Sequence, residues 1–270
     1  MNQASVDVAG IIARVRSTRP LVHHITNFVT INGVANITLC VGGLPVMAHA
    51  KEEVEEMVEA ASALVLNLGT LWPEQVEAML LAGRRANQRN IPIVLDPVGV
   101  GATQLRTRSA RRLLQELLIT IVRGNAAEIA SLAGVDAEIS GVESVSVDGD
   151  TAVIAKQFAT EQHCVAVITG AVDLVTDGVR LVRVANGHQM MSTVTGTGCM
   201  ATAVIGACAA VEGDAVHAAA AALAAYGLAG QLAAERSEGP GTLQVHLYDA
   251  LAGLTVDRLR REARILHGEE

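Results

Sequence analysis

Short apolar runs alternate along this chain with stretches in which apolar residues recur three and four positions apart. Six runs rich in Val, Ile and Leu are bounded by turn residues: LVHHI (21–25), LPVMA (44–48), ALVLNLG (63–69), IPIVLDPVG (91–99), LITIV (118–122) and CVAVITG (164–170). Continuous apolar character of this kind is typical of strands that are buried on both faces of a parallel sheet. The alternation therefore predicts a three-layer α/β/α fold with a mostly parallel central sheet.

Helical patterns fill the intervals between these runs, and one hairpin interrupts the alternation. Residues 51–62 place apolar side chains on one helix face and acids on the other, and residues 72–88 have a proline near the first turn. Residues 173–184 contain Asp177-Gly178 between two alternating runs, which predicts a hairpin. No strand signal follows about residue 192, and no repeat or composition break divides the chain. We therefore expect one domain over residues 1–270 that ends in helices.

The charge balance limits the partners of this chain. Its 270 residues carry a formal net charge of −8, which argues against nucleic acid or an anionic membrane surface as the main partner. The Ala-rich stretch 201–234 is the one candidate membrane span in the sequence. The polar segment Glu212–Asp214 interrupts it, and Ala is too weakly apolar to compensate. We therefore expect a soluble protein with no membrane contact.

The cysteines indicate a reducing compartment. Four cysteines occur without C-x-x-C spacing: Cys40, Cys164, Cys199 and Cys208. In a chain of this size they are expected to be reduced thiols of a cytosolic protein. The first residues contain Asp7 and Arg14 where a signal peptide needs an unbroken apolar stretch. The sequence therefore predicts a cytoplasmic location.

The segment TVTGTGCMATAVIGACAA (193–210) contains a glycine-rich turn that runs into a helix. Backbone N–H groups at such a helix start lack partners within the helix, and the helix dipole favours negative charge there. Gly196 and Gly198 are therefore expected to form an anion site. Cys199 follows directly, and the helix start is expected to lower the pKa of its thiol towards about 7 or below. A nearby phosphate would oppose that shift.

Polar and glycine-containing residues follow several of the predicted strands: 24–27, 67–70, 96–99, 123–125 and 169–170. Turn and cap requirements explain each of these segments when it is taken alone, and Asn125 with Glu128 has the pattern of a helix capping box. Together they offer two acids, Asp96 and Glu128, and the cation Arg123 at the edge where an α/β sheet gathers its chemistry. Phosphoryl transfer needs oxygen ligands for a divalent cation, a positive charge on the phosphates and an N–H cradle.

Two common nucleotide-binding motifs are excluded. No G-x-x-x-x-G-K-[ST] occurs, so the chain is not a P-loop enzyme. Residues 196–201 fit G-x-G-x-x-A, but a dinucleotide site needs an acid about twenty residues later at the end of a second strand. That region is the Ala-rich helix around His217. The dinucleotide interpretation therefore fails.

Taken together and in order, these stretches resemble the hydroxyethylthiazole kinase family, thiamine-salvage enzymes with a ribokinase-like fold. The resemblance covers nearly the whole chain: HHITNFVTINGVAN, LPVMAHA, LNLGTL, IVLDPVGVGAT, VRGNAAEIASLAG, VITG and TVTGTGCMATAVIGA. It implies ATP-dependent phosphorylation of the hydroxyl of 4-methyl-5-(2-hydroxyethyl)thiazole, with Mg²⁺.

The resemblance also implies roles for particular residues. The nucleotide phosphates would be met by Arg123, Thr169 and Gly198, and the metal by Asp96 and Glu128. The thiazole would lie at or near Asn27, Met47, Gly69 and Gly196. Cys199 stands where the wider ribokinase-like superfamily commonly has an aspartate base. The family forms trimers with active sites between subunits, which would place Asn27 and Met47 against a neighbour's glycine turn.

Other functions stay open on the sequence. The nearest is another small-alcohol kinase of the same fold, such as a pyrimidine-alcohol kinase. The nucleotide-hydrate dehydratase branch would use the anion site for ATP-driven dehydration. A cysteine hydrolase would use Cys199 with a histidine, but no family signature surrounds the cysteine. A non-catalytic nucleotide sensor is a further alternative, but it would give Asp96 and Glu128 no role.

Overall fold

Nine strands form one mixed sheet in the computed structural model, which describes residues 5–135 and 148–267. The strands are β1 (Leu21–Ile25), β2 (Leu44–Val46), β3 (Ala63–Asn67), β4 (Ile93–Asp96), β5 (Ile121–Gly124), β6 (Val165–Ile168), β7 (Asp173–Thr176), β8 (Leu181–Val184) and β9 (Ile265–His267). Their order across the sheet is β2-β1-β3-β4-β5-β6-β7-β8-β9. The pairings from β2 to β6 are parallel, and β7, β8 and β9 continue as antiparallel strands. The predicted domain also includes residues 1–4, 136–147 and 268–270, which lie outside the described ranges.

Helices cover both faces of this sheet. They are α1 (Val8–Thr18), α2 (Ile31–Val41), α3 (Val54–Ala60), α4 (Pro73–Arg89), α5 (Gln104–Glu116), α6 (Ala126–Leu132), α7 (Asp148–Gln162), α8 (Thr197–Ala209), α9 (Ala215–Ala234), α10 (Pro240–Ala252) and α11 (Val256–Glu262), with a 3₁₀ turn at Gln189–Thr193. One apolar cluster joins α1, α2 and α8 to α11 with one face of the sheet, and a second joins α3 to α7 with the other face. The predicted three-layer α/β/α architecture is confirmed.

The two faces of the sheet carry side chains of different size. In β3, Ala63 and Val65 belong to the cluster of α8 and α9, whereas Leu64 and Leu66 belong to the cluster of α3 and α4. A Cβ atom built on Gly206, inside α8, would lie only 2.5 Å from Cγ2 of Val65. A residue without a side chain therefore allows α8 to lie this close to the middle of the sheet.

The Ala-rich segment forms two buried helices. Asp214 ends the connection between them and caps α9, because its carboxylate accepts hydrogen bonds from the N–H groups of Val216 (3.0 Å) and His217 (3.3 Å). By length and composition α9 could cross a membrane, but 78% of its apolar window is buried inside the protein. It packs against α1, α8 and α10. In this fold α9 is a core helix.

Two strand predictions were wrong in detail. The apolar run at 118–122 predicted a strand from Leu118, but β5 begins at Ile121 and Leu118 is 79% exposed. The side chain of Asn87 bonds both the N–H and the C=O of Leu118, at 2.9 Å each, and so holds that residue in the connection. The chain was also expected to end in helices, yet β9 pairs antiparallel with β8. Three residues are too few to show the alternation that reveals a strand.

Candidate active site

The carboxyl ends of the central strands meet the start of α8 at one edge of the sheet. Asn67 and Asp96 are the last residues of β3 and β4 and lie opposite each other in the register of the two strands. Arg123 lies in β5, next to β4, and Thr169 follows β6. Cys199 lies in the first turn of α8 and contacts the side chain of Asn67. Residues that are far apart in the chain therefore form one polar cluster.

Asn67 is the centre of this cluster. Its side chain is 2% exposed. Its amide nitrogen donates to Oδ2 of Asp96 (2.8 Å) and to Sγ of Cys199 (3.2 Å). Its amide oxygen accepts from Nδ2 of Asn27 (2.8 Å) and from the N–H of Gly69 (2.9 Å). The sequence marked 67–70 as a strand end but assigned Asn67 no role; its pairing with Asp96 is visible only in the strand register.

Asp96 is fully buried and incompletely hydrogen-bonded. Its Oδ2 atom accepts from Asn67 and from the hydroxyl of Thr202 (2.9 Å). Its Oδ1 atom has no hydrogen-bond partner among the residues that the structure describes, and it lies 3.7 Å from Nη1 of Arg123. The pKa of Asp96 is raised to about 6. Burial is the main cause and the charge of Glu128 adds to it, while Arg123 acts in the opposite direction. This carboxyl therefore has an oxygen free for a cation or a donor that the protein itself does not provide.

Arg123 lies over the first turn of α8. Its guanidinium donates to the hydroxyl of Thr169, and its buried Nε atom has no hydrogen-bond partner in the described part of the chain. A Cβ atom on Gly198 would lie 2.6 Å from Nη1 of Arg123, so the guanidinium occupies the space that a side chain there would need. The three residues expected at the nucleotide phosphates are therefore brought together. A guanidinium that lies beside a helix start and has further N–H groups available can bind a phosphate group.

The thiol of Cys199 is half-buried and is surrounded by donors. Sγ receives the Asn67 amide and, at 3.5 Å, Nδ2 of Asn27. Burial raises its pKa and the charge of Asp96 raises it further, while Thr30, Asn67 and Arg123 act in the opposite direction. The sequence-based prediction of a lowered pKa was wrong. The helix start is one partial charge, and the loss of water together with a neighbouring carboxylate outweighs it.

The glycines expected near the substrate lie against polar residues of the same chain. Gly196 has a φ of +89°, and a side chain there would collide with Thr30. A Cβ atom on Gly69 would lie 2.6 Å from Cβ of Asn27. Asn27 therefore contacts Cys199 and lies at the glycine turn of its own chain. The expectation that Asn27 faces a neighbour's glycine turn stays a prediction.

Met47 lies further along the same edge of the sheet. It follows β2, which pairs with β1, and it is partly buried against the core of the α8 face. Within the described residues, no hydrogen bond joins Met47 to the cluster around Cys199. The structure thus gathers the other predicted residues and places Met47 directly after the neighbouring strand β2.

A cavity of about 490 Å³ opens beside Arg123. It is lined by Arg123, Thr169, Gly170, Ala171, Asp173, Asn186, Gly187, His188, Gln189, Met191, Ser192, Thr197, Gly198, Ala201, Leu223, Tyr226 and Gly227. Tyr226 donates its hydroxyl proton to the carbonyl of Thr197 (3.0 Å) and so braces the start of α8 from behind. A cavity of this size is in the range of small-ligand sites.

Asp173 is a buried acid of this cavity that the sequence did not identify. Its Oδ1 atom accepts from the N–H of Gly170 (3.0 Å). Burial raises its pKa to about 6, against the opposing charge of Arg123. The only sequence signal was its place at the start of the predicted hairpin, directly after Thr169-Gly170.

Asp96 and Glu128 fit a divalent cation that completes its shell with ligand oxygens. Glu128 forms the predicted capping box with Asn125, and its two oxygens accept from the N–H groups of Gly99 (2.7 Å) and Asn125 (2.8 Å). Each oxygen keeps a further lone pair, and Oδ1 of Asp96 has no partner. The described residues contain no group of three or more His, Cys, Asp or Glu side chains placed to hold a metal. Mg²⁺ is typically bound by one or two carboxylates together with the phosphates of the substrate.

Comparison of the sequence with models of known protein families identifies the family of this chain. The model of the hydroxyethylthiazole kinase family matches residues 12–257. This chain belongs to the hydroxyethylthiazole kinase family. The residues matched include the whole polar cluster and the cavity beside it, and the expected membership is confirmed.

Individual relatives of this kinase agree with the family model. A hydroxyethylthiazole kinase from Roseiflexus sp. (strain RS-1) is 53% identical over 268 residues, which are 99% of this chain and 99% of that protein. The structure of hydroxyethylthiazole kinase from Pyrococcus horikoshii OT3 matches with a TM-score of 0.90 at 40% identity, over 97% of this chain and 99% of that chain.

The fold extends to more distant proteins. A ribokinase-like superfamily protein from Enterococcus faecalis V583 matches with a TM-score of 0.65 at 12% identity, over 94% of this chain and 95% of that chain. At that identity the likeness concerns the fold alone. The predicted ribokinase-like fold of the kinase is confirmed.

Replacing the buried Asp173 should stabilise the kinase at neutral pH. The pKa of this carboxyl is about 6 when folded and about 4 in an unfolded chain, so the unfolded state loses its proton first as pH rises. Its contribution to stability therefore falls between about pH 4 and pH 6 and stays low above that. We expect Asp173→Asn to raise the free energy of unfolding at pH 7.5 by up to about 3 kcal/mol, and progressively less towards pH 4.

Urea denaturation at several pH values measures this difference. The control is Asp249→Asn, which changes an exposed acid of α10. A stability difference for Asp173→Asn that is the same at pH 7.5 and pH 4.5 would contradict the assignment of a raised pKa to Asp173.

Proposed function

We propose that this kinase transfers the γ-phosphoryl group of ATP to the hydroxyl of 4-methyl-5-(2-hydroxyethyl)thiazole, in thiamine biosynthesis or salvage. The observation that carries the proposal is that the first turn of α8 brings Cys199 to Asn67 and Gly198 to Arg123, beside the buried Asp96 at the carboxyl edge of the sheet. An acceptor hydroxyl at the thiol would lie next to the phosphate-type donors. Family membership supports the identity of the alcohol.

The nucleotide would occupy the cavity beside Arg123. Its phosphates would meet the guanidinium of Arg123, the hydroxyl of Thr169 and the N–H groups around Gly198. The remaining walls of the cavity, from Asn186 to Met191 and along α9, would enclose the nucleoside. Electrostatic stabilisation by such pre-positioned donors is the largest protein contribution expected in phosphoryl transfer.

Asp96 and Glu128 would hold Mg²⁺ together with the phosphates. The cluster contains three acids, Asp96, Glu128 and Asp173, against Arg123. A triphosphate would add still more negative charge, so a divalent cation is needed for binding to be favourable. When bound, the cation would neutralise charge that develops on the transferring group.

The thiazole would bind on the other side of the thiol, near Asn27, Gly69 and Gly196, with Met47 at its rim. The hydroxyl oxygen attacks the γ-phosphorus, the bond from that phosphorus to the bridging oxygen of ADP breaks, and the hydroxyl proton passes to a phosphoryl oxygen. The raised pKa of Cys199 keeps its sulfur protonated at neutral pH. We therefore assign Cys199 to holding the hydroxyl in place and not to abstracting its proton.

An ATP-consumption assay tests the function. The wild-type chain is expected to use ATP rapidly with the thiazole alcohol and Mg²⁺, and slowly with hydroxymethylpyrimidine. Glu128→Ala should lower turnover roughly a hundredfold or more at saturating Mg²⁺, since it removes a charge stabiliser. Glu55→Ala, on the exposed face of α3, is the control. Preference for the pyrimidine alcohol, or full turnover in a folded Glu128→Ala protein, would contradict the proposal.

Substitutions of Cys199 separate positioning from base catalysis. Cys199→Ala should slow turnover by less than about a hundredfold, because a true general base contributes at least that much. Cys199→Ser should be slowed less, since its hydroxyl can still bond the substrate. Cys199→Asp should remain active if a base is wanted at this position, because its carboxylate can accept the hydroxyl proton but has none to donate at neutral pH.

Steady-state turnover and intact-protein mass measurements follow these variants. A phosphocysteine trapped during turnover would overturn the positioning role of Cys199. So would a Cys199→Asp protein that transfers phosphate faster than the wild type, because that result would favour a base at this position.

We extend the proposal to a homotrimer in which a neighbouring subunit completes the thiazole pocket. An exposed apolar patch borders the acceptor side: Phe28 is 62% exposed, Val29 is 68% exposed, and the ring of Phe28 stacks on that of Trp72 with centroids 5.1 Å apart. Patches of this kind commonly mark subunit interfaces. In this arrangement Asn27 lies at the thiol of its own chain, and Met47 would reach a neighbour's glycine turn.

Hybrid trimers test this arrangement. Inactive Met47→Asp chains mixed with inactive Gly196→Asp chains should recover part of the wild-type turnover, because some interfaces pair two intact halves. Native mass spectrometry should show three subunits and mixed species. Mixed trimers that form but remain inactive would rule out a site shared through Met47.

We also propose that the kinase is cytoplasmic. All four cysteines are free, and none forms a disulfide in the described residues. Reduced thiols are the usual state in the cytosol. Fractionation that recovers the protein outside the cytosol would contradict this location.

A further inference from the structure

We infer that Asn67 is a positioning residue whose oriented amide fixes the sulfur of Cys199 and so sets where the acceptor hydroxyl is held. The inference rests on the proposed function and adds a residue to it. Asn67 itself is enclosed between two strand ends and acts through Cys199. Its role follows from the direction of its hydrogen bonds.

The orientation of the Asn67 amide is determined by its neighbours. The backbone N–H of Gly69 can only donate, so the side-chain atom 2.9 Å from it must be the amide oxygen. The amide nitrogen then faces the opposite side, where Oδ2 of Asp96 and Sγ of Cys199 lie at 2.8 Å and 3.2 Å. Both protons of this nitrogen are used, one on the acid and one on the sulfur.

A second amide is fixed in the same way. The backbone N–H of Thr30 donates to Oδ1 of Asn27 (3.0 Å), which leaves Nδ2 of Asn27 to donate. That nitrogen reaches Oδ1 of Asn67 (2.8 Å) and Sγ of Cys199 (3.5 Å). Two backbone N–H groups thus set two side-chain amides, and both amides direct an N–H at the same sulfur.

A sulfur held by two donors has little freedom. Because both amides donate to the sulfur, its own proton is available to a group other than Asn27 and Asn67. A hydroxyl bound beside the glycine turn could accept this S–H. Asn67 carries more of this constraint than Asn27, because its donor is nearer and because it is itself anchored to the buried Asp96.

A purely structural role would predict a different outcome from a positioning role. If Asn67 only satisfied the ends of β1, β3 and β4, its loss would lower stability and turnover equally whether or not residue 199 carried a thiol. If it acts through the thiol, its loss should matter only when the thiol is present. Groups that act as a unit show this non-additivity.

A kinetic double-mutant cycle with Asn67→Ala and Cys199→Ala distinguishes the two roles. We expect Asn67→Ala to lower kcat roughly tenfold or more in the wild-type background and less than about threefold in the Cys199→Ala background. The KM for ATP should change less than about twofold, because the nucleotide cavity is lined by other residues. Asn36→Ala, a half-buried asparagine of α2, is the matched control.

The result has separate outcomes for the inference and for the function on which it rests. Equal losses of kcat in both backgrounds, with active wild-type protein, would overturn the positioning role alone. A wild-type chain that does not phosphorylate the thiazole alcohol would overturn the proposed function and the inference with it. If Asn67→Ala does not fold, Asn67→Ser repeats the cycle, since its hydroxyl is neutral beside Asp96 and its side chain is shorter than the amide that bonds Cys199.

Discussion

The close packing of α8 against the middle of the sheet is the constraint on which the candidate site depends. Gly206 lies directly over Val65, where a side chain would collide. This contact lets α8 approach β3 and β4 so closely that Thr202 reaches Asp96 and Cys199 reaches Asn67. A larger residue in the middle of the helix would move its first turn away from the strand ends. The small side chains of α8 and α9 therefore serve the chemistry as well as the core.

The same packing determines the electrostatics of the site. Removing water raises the pKa of the Asp96 carboxyl and of the Cys199 thiol, although a helix start and Arg123 lie beside them. Hydrogen bonds within the chain satisfy one oxygen of Asp96 and leave the other free. In this arrangement Arg123 compensates the negative charge of Asp96 only in part, so the site favours a bound cation. Asp96 and Cys199 are costly to bury, but the fold holds them in the positions that the reaction requires.

Local signals were enough to predict most of the fold, because each central strand is buried on both faces and so has a continuous apolar run. They failed where tertiary contacts decide the outcome. Leu118 belongs to an apolar run, but the side chain of Asn87 holds it in a loop. The short strand β9 forms by pairing with β8, a tertiary contact that the local sequence does not show. Among site residues, three charged residues and the glycines were identified, whereas Asn67 and Asp173 were not, since an asparagine at a strand end and an acid at the start of a hairpin resemble ordinary turn residues. The pKa of Cys199 was predicted in the wrong direction because burial is not visible in sequence. One domain over residues 1–270 stays a prediction.

The contacts of Asn27 change what a neighbouring subunit can contribute. Within one chain, Asn27, Asn67 and Asp96 already surround the thiol, and Thr30 already lies against Gly196. In the proposed trimer, a partner would therefore add its contacts mainly on the outer side of the acceptor. That side carries the exposed ring of Phe28 stacked on Trp72, directly after Asn27. A subunit that packed on this aromatic pair would enclose the ring of the substrate while the chemistry stayed within one chain. Oligomer formation would then govern acceptor binding, and the α8 packing within each chain would govern transfer.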